Sequence, residues 1–221
     1  MGKNVLIISF GDLHMRPDMA RKIPEIREAD CVVLNGDLTL RGGCVHALSM
    51  IAAISELNRS VYAQIGNMDE GEVDAMFSDM GINLNGRGVV LDDVGLFGLG
   101  GSPPTPFDTP SEFSEHELGT TLRRAYEDVK EARIKVLFSH PPPLNTLLDR
   151  LGNGEHVGSS AVRDFLEKAD CAACVCGHIH EAAGTDHVGS ALVINPGMLA
   201  HGGYARIEWD GQRLTATLEH C

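Results

Sequence analysis

Positive charge is scarce in this sequence. Eighteen Lys and Arg stand against 31 Asp and Glu, a formal net charge of −13 over 221 residues. A surface of that sign repels polyphosphate backbones, which argues against general nucleic-acid binding. An anionic ligand could bind where metal ions reverse the sign locally. Long apolar runs are missing too. None reaches the roughly 18–20 residues that span a bilayer, so no membrane association is expected. The first apolar stretch, Val5–Phe10, is too short for a secretory signal and has no cleavage-type sequence behind it. A cytoplasmic location is expected. Six cysteines sit at 31, 44, 171, 174, 176 and 221 without a paired framework, so reduced thiols are expected rather than disulfides. Cys171-x-x-Cys174 has no second Cys pair and lies in an apolar run, which favours core packing over zinc.

The chain has enough apolar residues, 43%, to exclude disorder. Its length suits one domain, residues 1–221, burying about 70% of the unfolded chain's surface. A repeated pattern runs through the first half: a short apolar run, a Gly/Asp/Asn/His cluster, then an amphipathic stretch. Val5–Phe10, Cys31–Leu34 and Val61–Ile65 read as buried strands, and Pro17–Ala29, Val45–Leu57 and Glu72–Met80 as helices. That alternation implies parallel βαβ units. Val89–Leu91 and Leu96–Leu99 read as strands of a hairpin turned at Asp92-Asp93. A Gly/Pro/Thr/Ser-rich loop follows, and its Thr105–Glu112 part is a surface excursion or a flap over a site. Ser114 and Glu117 then form a capping box for a helix running to about Arg133. Val136–Ser139 and Cys171–Cys176 read as strands, Ser160–Lys168 as a helix, and the tail as strands Ala191–Asn195, Ala205–Trp209 and Leu214–Leu218.

Chemistry-bearing residues fall just past these strand ends: Asp12 and His14, Asp37, Asn67, His140, and His178 with His180. Parallel α/β sheets bind ligands at the carboxyl ends of their strands. Five strand ends would thus bring three His-containing clusters, two carboxylates and one amide to one edge. Carboxylate oxygens and imidazole nitrogens suit Mn, Fe, Zn, Co or Ni. Seven ligands exceed one tetrahedral site and suit two ions sharing a carboxylate. Singly, each residue has a plainer reading as a turn former, a helix cap or a partly buried His. The ordered set Asp-x-His, Gly-Asp, Gly-Asn-x-Asp, His, Gly-His-x-His is far more specific.

The set resembles that of the calcineurin-like metallophosphoesterases, from Asp12 to His180, with Asn195-Pro196-Gly197 typical of the tail. It is similar to a branch of small prokaryotic phosphoesterases through Gly100-Gly101-Ser102, Thr105-Pro106-Phe107, His156-Val157-Gly158-Ser159 and Cys176-Gly177-His178-Ile179-His180-Glu181. The resemblance implies an α/β fold, a four-layer αββα sandwich of two mixed β-sheets flanked by helices. It implies that Asp12, His14 and His180 hold one ion, Asn67, His140 and His178 the other, and that Asp37 bridges both. Asp37, Asn67, His178 and Asp69 are the expected catalytic set, with Asp69 orienting a ligand His. Two divalent ions about 3.5–4 Å apart, Mn first among them, would clamp phosphoryl oxygens and generate hydroxide for in-line attack. The implied substrate is a small phosphate ester, nucleotide-like and a diester before a monoester.

One departure stands out. Where the family usually has Gly-Asn-His, this chain has Gly66-Asn67-Met68, and a thioether cannot donate a proton. His156 or His201 could replace the missing acid, or be plain surface residues. Arg16 and Arg41 follow metal motifs and could meet a phosphate, or be solvated charges. The rival reading is a metal-binding scaffold of the same fold with little catalysis. Exposed strand ends near the tail would permit an oligomer such as a dimer.

Overall fold

The computed structural model describes residues 4–221. Among the described residues, eleven strands form two mixed sheets and four α-helices flank them. The first holds β1 (Val5–Phe10), β2 (Cys31–Asn35), β3 (Val61–Gln64), β10 (Gly203–Trp209) and β11 (Leu214–His220), in the order β11-β10-β1-β2-β3. The second holds β4 (Gly88–Leu91), β5 (Val94–Leu99), β6 (Ile134–Ser139), β7 (Ala173–Val175), β8 (Gly184–Val188) and β9 (Ala191–Asn195), in the order β4-β5-β6-β7-β9-β8. The β1-β2-β3 and β5-β6-β7-β9 cores are parallel, and antiparallel strands flank each. The sandwich expected from the resemblance is the fold.

Side-chain alternation explains the layers. Successive residues of a strand face opposite sides. In β1 and β2, Ile8, Phe10, Val32 and Leu34 pack outward with α1 (Cys44–Ser55) and α2 (Gly71–Asp79), while Val5, Ile7, Cys31 and Val33 face the other sheet. In β5 and β6, Phe97, Leu99 and Leu137 meet α3 (Glu115–Glu127) and α4 (Ser160–Leu166), while Val94, Leu96, Val136 and Phe138 face inward. Both faces of each sheet are therefore apolar, as covered parallel sheets require. α1 presents Ala47, Met50, Ile51 and Ile54 to its sheet, the spacing of one helix face. The capping box of α3 is present, with Glu117 N–H donating to Ser114 Oγ and Ser114 N–H to Glu117 Oε2.

Several expected boundaries are corrected. Pro17–Ala29 is not an α-helix: a 3-10 helix spans Asp18–Lys22, and Ile23 is extended ahead of Pro24. Proline lacks an N–H and disfavours helical backbone in the residue before it. α3 ends at Glu127 rather than near Arg133, because Ile134 already pairs with Val94 in the sheet. β7 is shorter than Cys171–Cys176, and the polar edge strand β8 was not expected at all. The six cysteines are free, and Cys171 and Cys174 are core residues. Among the described residues, no helix is long and apolar enough to cross a membrane.

The two sheets are sewn together at their carboxyl ends. Asn35 Nδ2, at the end of β2, donates to the carbonyls of Ser139 and Val175 across the sandwich. Gln64 Nε2, at the end of β3, donates to Asn35 Oδ1 and to the carbonyls of Leu99 and Phe138. These buried amides satisfy carbonyls at the strand ends, and they align the loops that follow on both sheets.

Candidate metal centre

Seven side chains meet at this shared edge. Asp12 and His14 follow β1, Asp37 follows β2, Asn67 follows β3, His140 follows β6, and His178 and His180 follow β7. Their donor atoms form two groups. Asp12, His14 and His180 offer atoms within 4.8 Å of one another, and so do Asp37, His140 and His178. In the first, His180 Nε2 lies 3.1 Å from Asp12 Oδ1 and 3.2 Å from His14 Nε2. Asn67 adds its Oδ1 to the second, 3.1 Å from His140 Nε2. Asp37 stands between them: Oδ1 is 3.4 Å from His140 Nε2, and Oδ2 is 3.9 Å from His14 Nε2.

The backbone is bent to achieve this. Asp12, His14, Asp37 and His178 have φ of 50°, 45°, 50° and 68°. Left-handed non-glycine residues cost of order 1–3 kcal/mol each and persist where their surroundings dictate them. Here the loops after β1 and β2 are laced together, Asp12 N–H donating to Gly36 O, His14 N–H to Asp37 O and Met15 N–H to Leu38 O. The glycines of the motifs have steric causes. A Cβ on Gly36, whose φ is +87°, would stand 2.5 Å from His140 Nδ1, and one on Gly177 2.6 Å from Asp12 Oδ2.

Hydrogen bonds also fix which ring nitrogen faces the cleft. His140 Nδ1 lies 2.9 Å from Asn35 O, and His14 Nδ1 lies 3.3 Å from Thr39 O. A carbonyl only accepts, so each Nδ1 donates and each Nε2 turns to the donor groups, as in metal-ligating histidines. Burial would raise the Asp37 carboxyl, but His140, His14 and the Met68 N–H hold it down at about 2. Burial would lower His140, but the charge and hydrogen bonding of Asp37 push it up to about 9. Burial and the charge of His140 push His178 down to about 4. The carboxylates thus draw positive charge to the cleft floor. The donor set is oxygen and nitrogen with no thiolate, which fits divalent first-row transition ions.

Asn67 is oriented by a relay absent from the sequence reading. Its Nδ2 donates to Thr109 Oγ1 at 3.0 Å, and the Thr109 hydroxyl donates to Glu112 Oε1 at 2.6 Å. An ionised carboxylate only accepts, so the Thr109 proton points to Glu112 and its lone pair to Asn67. That turns Asn67 Oδ1 toward the second donor group. Glu112 also accepts from Thr105 Oγ1 and Thr109 N–H. Desolvation would raise it, but these hydrogen bonds hold it at about 2.

Other expected residues fall differently. Asp69 does not touch a ligand His. It is fully buried and accepts from the N–H groups of Leu38, Thr39 and Gly66 and from Thr39 Oγ1. Its donors are thus main-chain amides and one hydroxyl, so it braces the Asp37 and Asn67 loops instead. Burial and the Asp37 charge push it up to about 6. A cleft of about 1100 Å³ opens over the centre, with Arg16, Arg41 and Met68 in its wall. Arg41 Nη2 donates to Phe107 O at 2.6 Å. The Thr105–Glu112 segment is no plain excursion, since Thr105, Pro106, Phe107 and Thr109 line the cleft. Neither His156 nor His201 is among the residues that line it, and His156 Nδ1 is bonded to Asp149 Oδ1 at 2.8 Å.

Comparison with known proteins agrees with this fold. The calcineurin-like phosphoesterase family profile matches residues 5–182. The Methanocaldococcus jannaschii protein MJ1162 is 32% identical over 201 residues, 89% of each chain. The fold is shared by TT1561 of Thermus thermophilus, with a TM-score of 0.72, 16% identity, and coverage of 97% of this chain and 99% of that one. A dimetal phosphatase from Danio rerio has a TM-score of 0.65 at 13% identity, covering 98% and 96%. The ordered ligand motifs, the sandwich that gathers them and the match over residues 5–182 lead to one conclusion: the chain belongs to the calcineurin-like phosphoesterase family and is a metal-dependent phosphoric ester hydrolase.

Proposed function

We propose that the protein hydrolyses small phosphodiesters, nucleotide-like ones among them, with two divalent ions, manganese first. In this reading Asp12, His14 and His180 would hold one ion, Asn67, His140 and His178 the other, and the Asp37 carboxylate would serve both. The observation that carries it is the Asp37 carboxylate, whose two oxygens face the two donor groups separately. Mixed carboxylate, amide and imidazole donors support manganese.

Two bound ions supply charge that offsets the phosphoryl oxygens and lower the pKa of the attacking water. The residues do the rest. Arg16 and Arg41 both line the cleft as donors for a phosphate oxygen, and Arg41 spends only one of its five N–H groups on the Phe107 carbonyl. Glu155 and Glu181 also line the cleft. In a protein of net charge −13 they repel a monoester dianion more than a diester monoanion, which supports the diester. Met68 offers the leaving group no proton. Esters whose leaving groups are stable as anions are favoured, and aryl diesters should outrun alkyl diesters of matched binding by about 10²-fold or more. Equal rates would overturn that part of the reading.

The test uses metal-stripped protein with Mn²⁺ returned, on bis-p-nitrophenyl phosphate beside p-nitrophenyl phosphate, with Asp37→Ala as control. Mn²⁺ should restore turnover, the diester should be cleaved faster, and the control should stay inactive. If Mn²⁺ binds tightly and neither ester is cleaved, the metal-binding scaffold replaces the enzyme reading.

A further inference from the structure

The loop over the cleft is held more firmly than an exposed loop needs to be. Glu112 closes it on itself, accepting from Thr105 Oγ1 at one end and from Thr109 N–H and Oγ1 at the other. Its base is clamped to the ligand loop, with Ser111 N–H donating to Asn67 O at 3.0 Å and Ser111 Oγ to Asp69 O at 2.6 Å. Its tip is tied across the cleft mouth by the bond from Arg41 to Phe107 O. Pro103, Pro104 and Pro106 restrict the remaining backbone freedom.

This rigid loop carries an apolar ring in the open. Phe107 is 73% exposed, and Leu40, next to Arg41, is 60% exposed. Both line the cleft whose floor is the metal centre. Large apolar side chains on the rim of a polar site mark ligand contacts, and a contact held in place binds without a large ordering cost.

We infer that Phe107 and Leu40 form a recognition rim for a planar aromatic or heteroaromatic ring on the organic group of the phosphate ester. The inference rests on the phosphoesterase reading and adds the class of substrate. A flat ring matches the face of Phe107 by offset or edge-to-face packing and covers Leu40 with apolar surface. A methyl group in its place offers no ring face and much less apolar surface.

The experiment is calorimetric titration of methylphosphonate and phenylphosphonate into the Mn²⁺-loaded protein, which needs no turnover and no leaving group. Phenylphosphonate should bind about tenfold more tightly, the increment expected for burying one ring against two apolar side chains. Phe107→Ser should bring the ratio to about twofold or less, and Leu40→Ser should lower it in part. Methylphosphonate affinity should hold in both variants, and so should their melting temperatures, since both side chains are exposed. A ratio unchanged in both variants overturns the rim while leaving the phosphoesterase reading intact. Failure of both phosphonates to bind the wild type overturns that reading itself. Light scattering on the same samples supplies the last arm: loss of a dimer in Phe107→Ser with the ratio intact makes the rim a contact between two copies, which also overturns the inference.

Discussion

The hydroxyl of Thr109 has one hydrogen, and Glu112 takes it. What it leaves is a lone pair for Asn67 Nδ2, and through it the direction of an amide that could otherwise flip. Thr109→Val keeps the shape and removes the hydroxyl, leaving a buried amide N–H without its acceptor. Partners behind a metal ligand are typically worth about 10–100-fold in affinity. Titrating Mn²⁺ into stripped Thr109→Val should therefore show one of two binding constants weakened by about tenfold or more and the other unchanged, with Thr109→Ser close to wild type. Equal weakening of both ions, or of neither, would contradict the relay. The seven side chains that meet at the edge are legible in the sequence, because each follows a strand inside a short motif. Thr109 and Glu112 are not, because their partner lies 42 residues from Thr109 and nothing local points to it. Asp69 is legible as a motif member but its contacts are not: its acceptors are spent on the main-chain amides of two loops, which no side-chain pattern records.

Elements were read best where periodicity was strong and worst where a single residue intervened. α1 and α2 fall within a residue or two of their expected bounds because their apolar faces repeat at helical spacing. The stretch before β2 fails as a helix because of Pro24. β8 has no signature in the sequence because a polar edge strand, Gly184–Val188, has little apolar pattern to show. The segment between β6 and α4 has almost no regular structure and is organised on one buried carboxylate. Asp149 accepts from the N–H groups of Asn145, Thr146 and Gly158 and from His156 Nδ1. Desolvation would raise its pKa, but the bond from His156 and those three amides outweigh it and lower it. A carboxyl lowered on folding adds stability above its unfolded pKa, about 3.9, and loses it as pH falls through the folded value. Asp149→Asn should thus melt about 5 °C below wild type at pH 7. The gap should narrow as pH falls from about 4 into more acidic solution. A gap constant over that range would show that Asp149 acts by shape and not by charge.

At the scale of the molecule, the sandwich and its cleft are two consequences of one arrangement. Strands apolar on both faces must be covered on both sides, and two such sheets face each other here. The alternation of strands and helices was legible in the sequence. The pairing of two sheets was not, apart from the family resemblance, because a doubly apolar strand does not say whether a helix or another sheet covers it. Asn35 and Gln64 then bring the carboxyl ends of both sheets to one edge. That edge gathers the buried carboxylates of Asp12 and Asp37 in a chain of net charge −13. Cations bound there should stabilise the folded state, because the unfolded chain scatters the ligands. An ion at a hundredfold excess over its Kd contributes about 2.7 kcal/mol, or a rise of roughly 5–10 °C in Tm for a chain of this size. Stripped protein should therefore melt lower than Mn²⁺-loaded protein, with a Tm that climbs with Mn²⁺ concentration. Asp37→Asn should flatten most of that climb, since its carboxylate faces both donor groups, while Thr109→Val should remove only part of it. A wild-type Tm indifferent to Mn²⁺ from micromolar to millimolar would separate this edge from metal binding altogether.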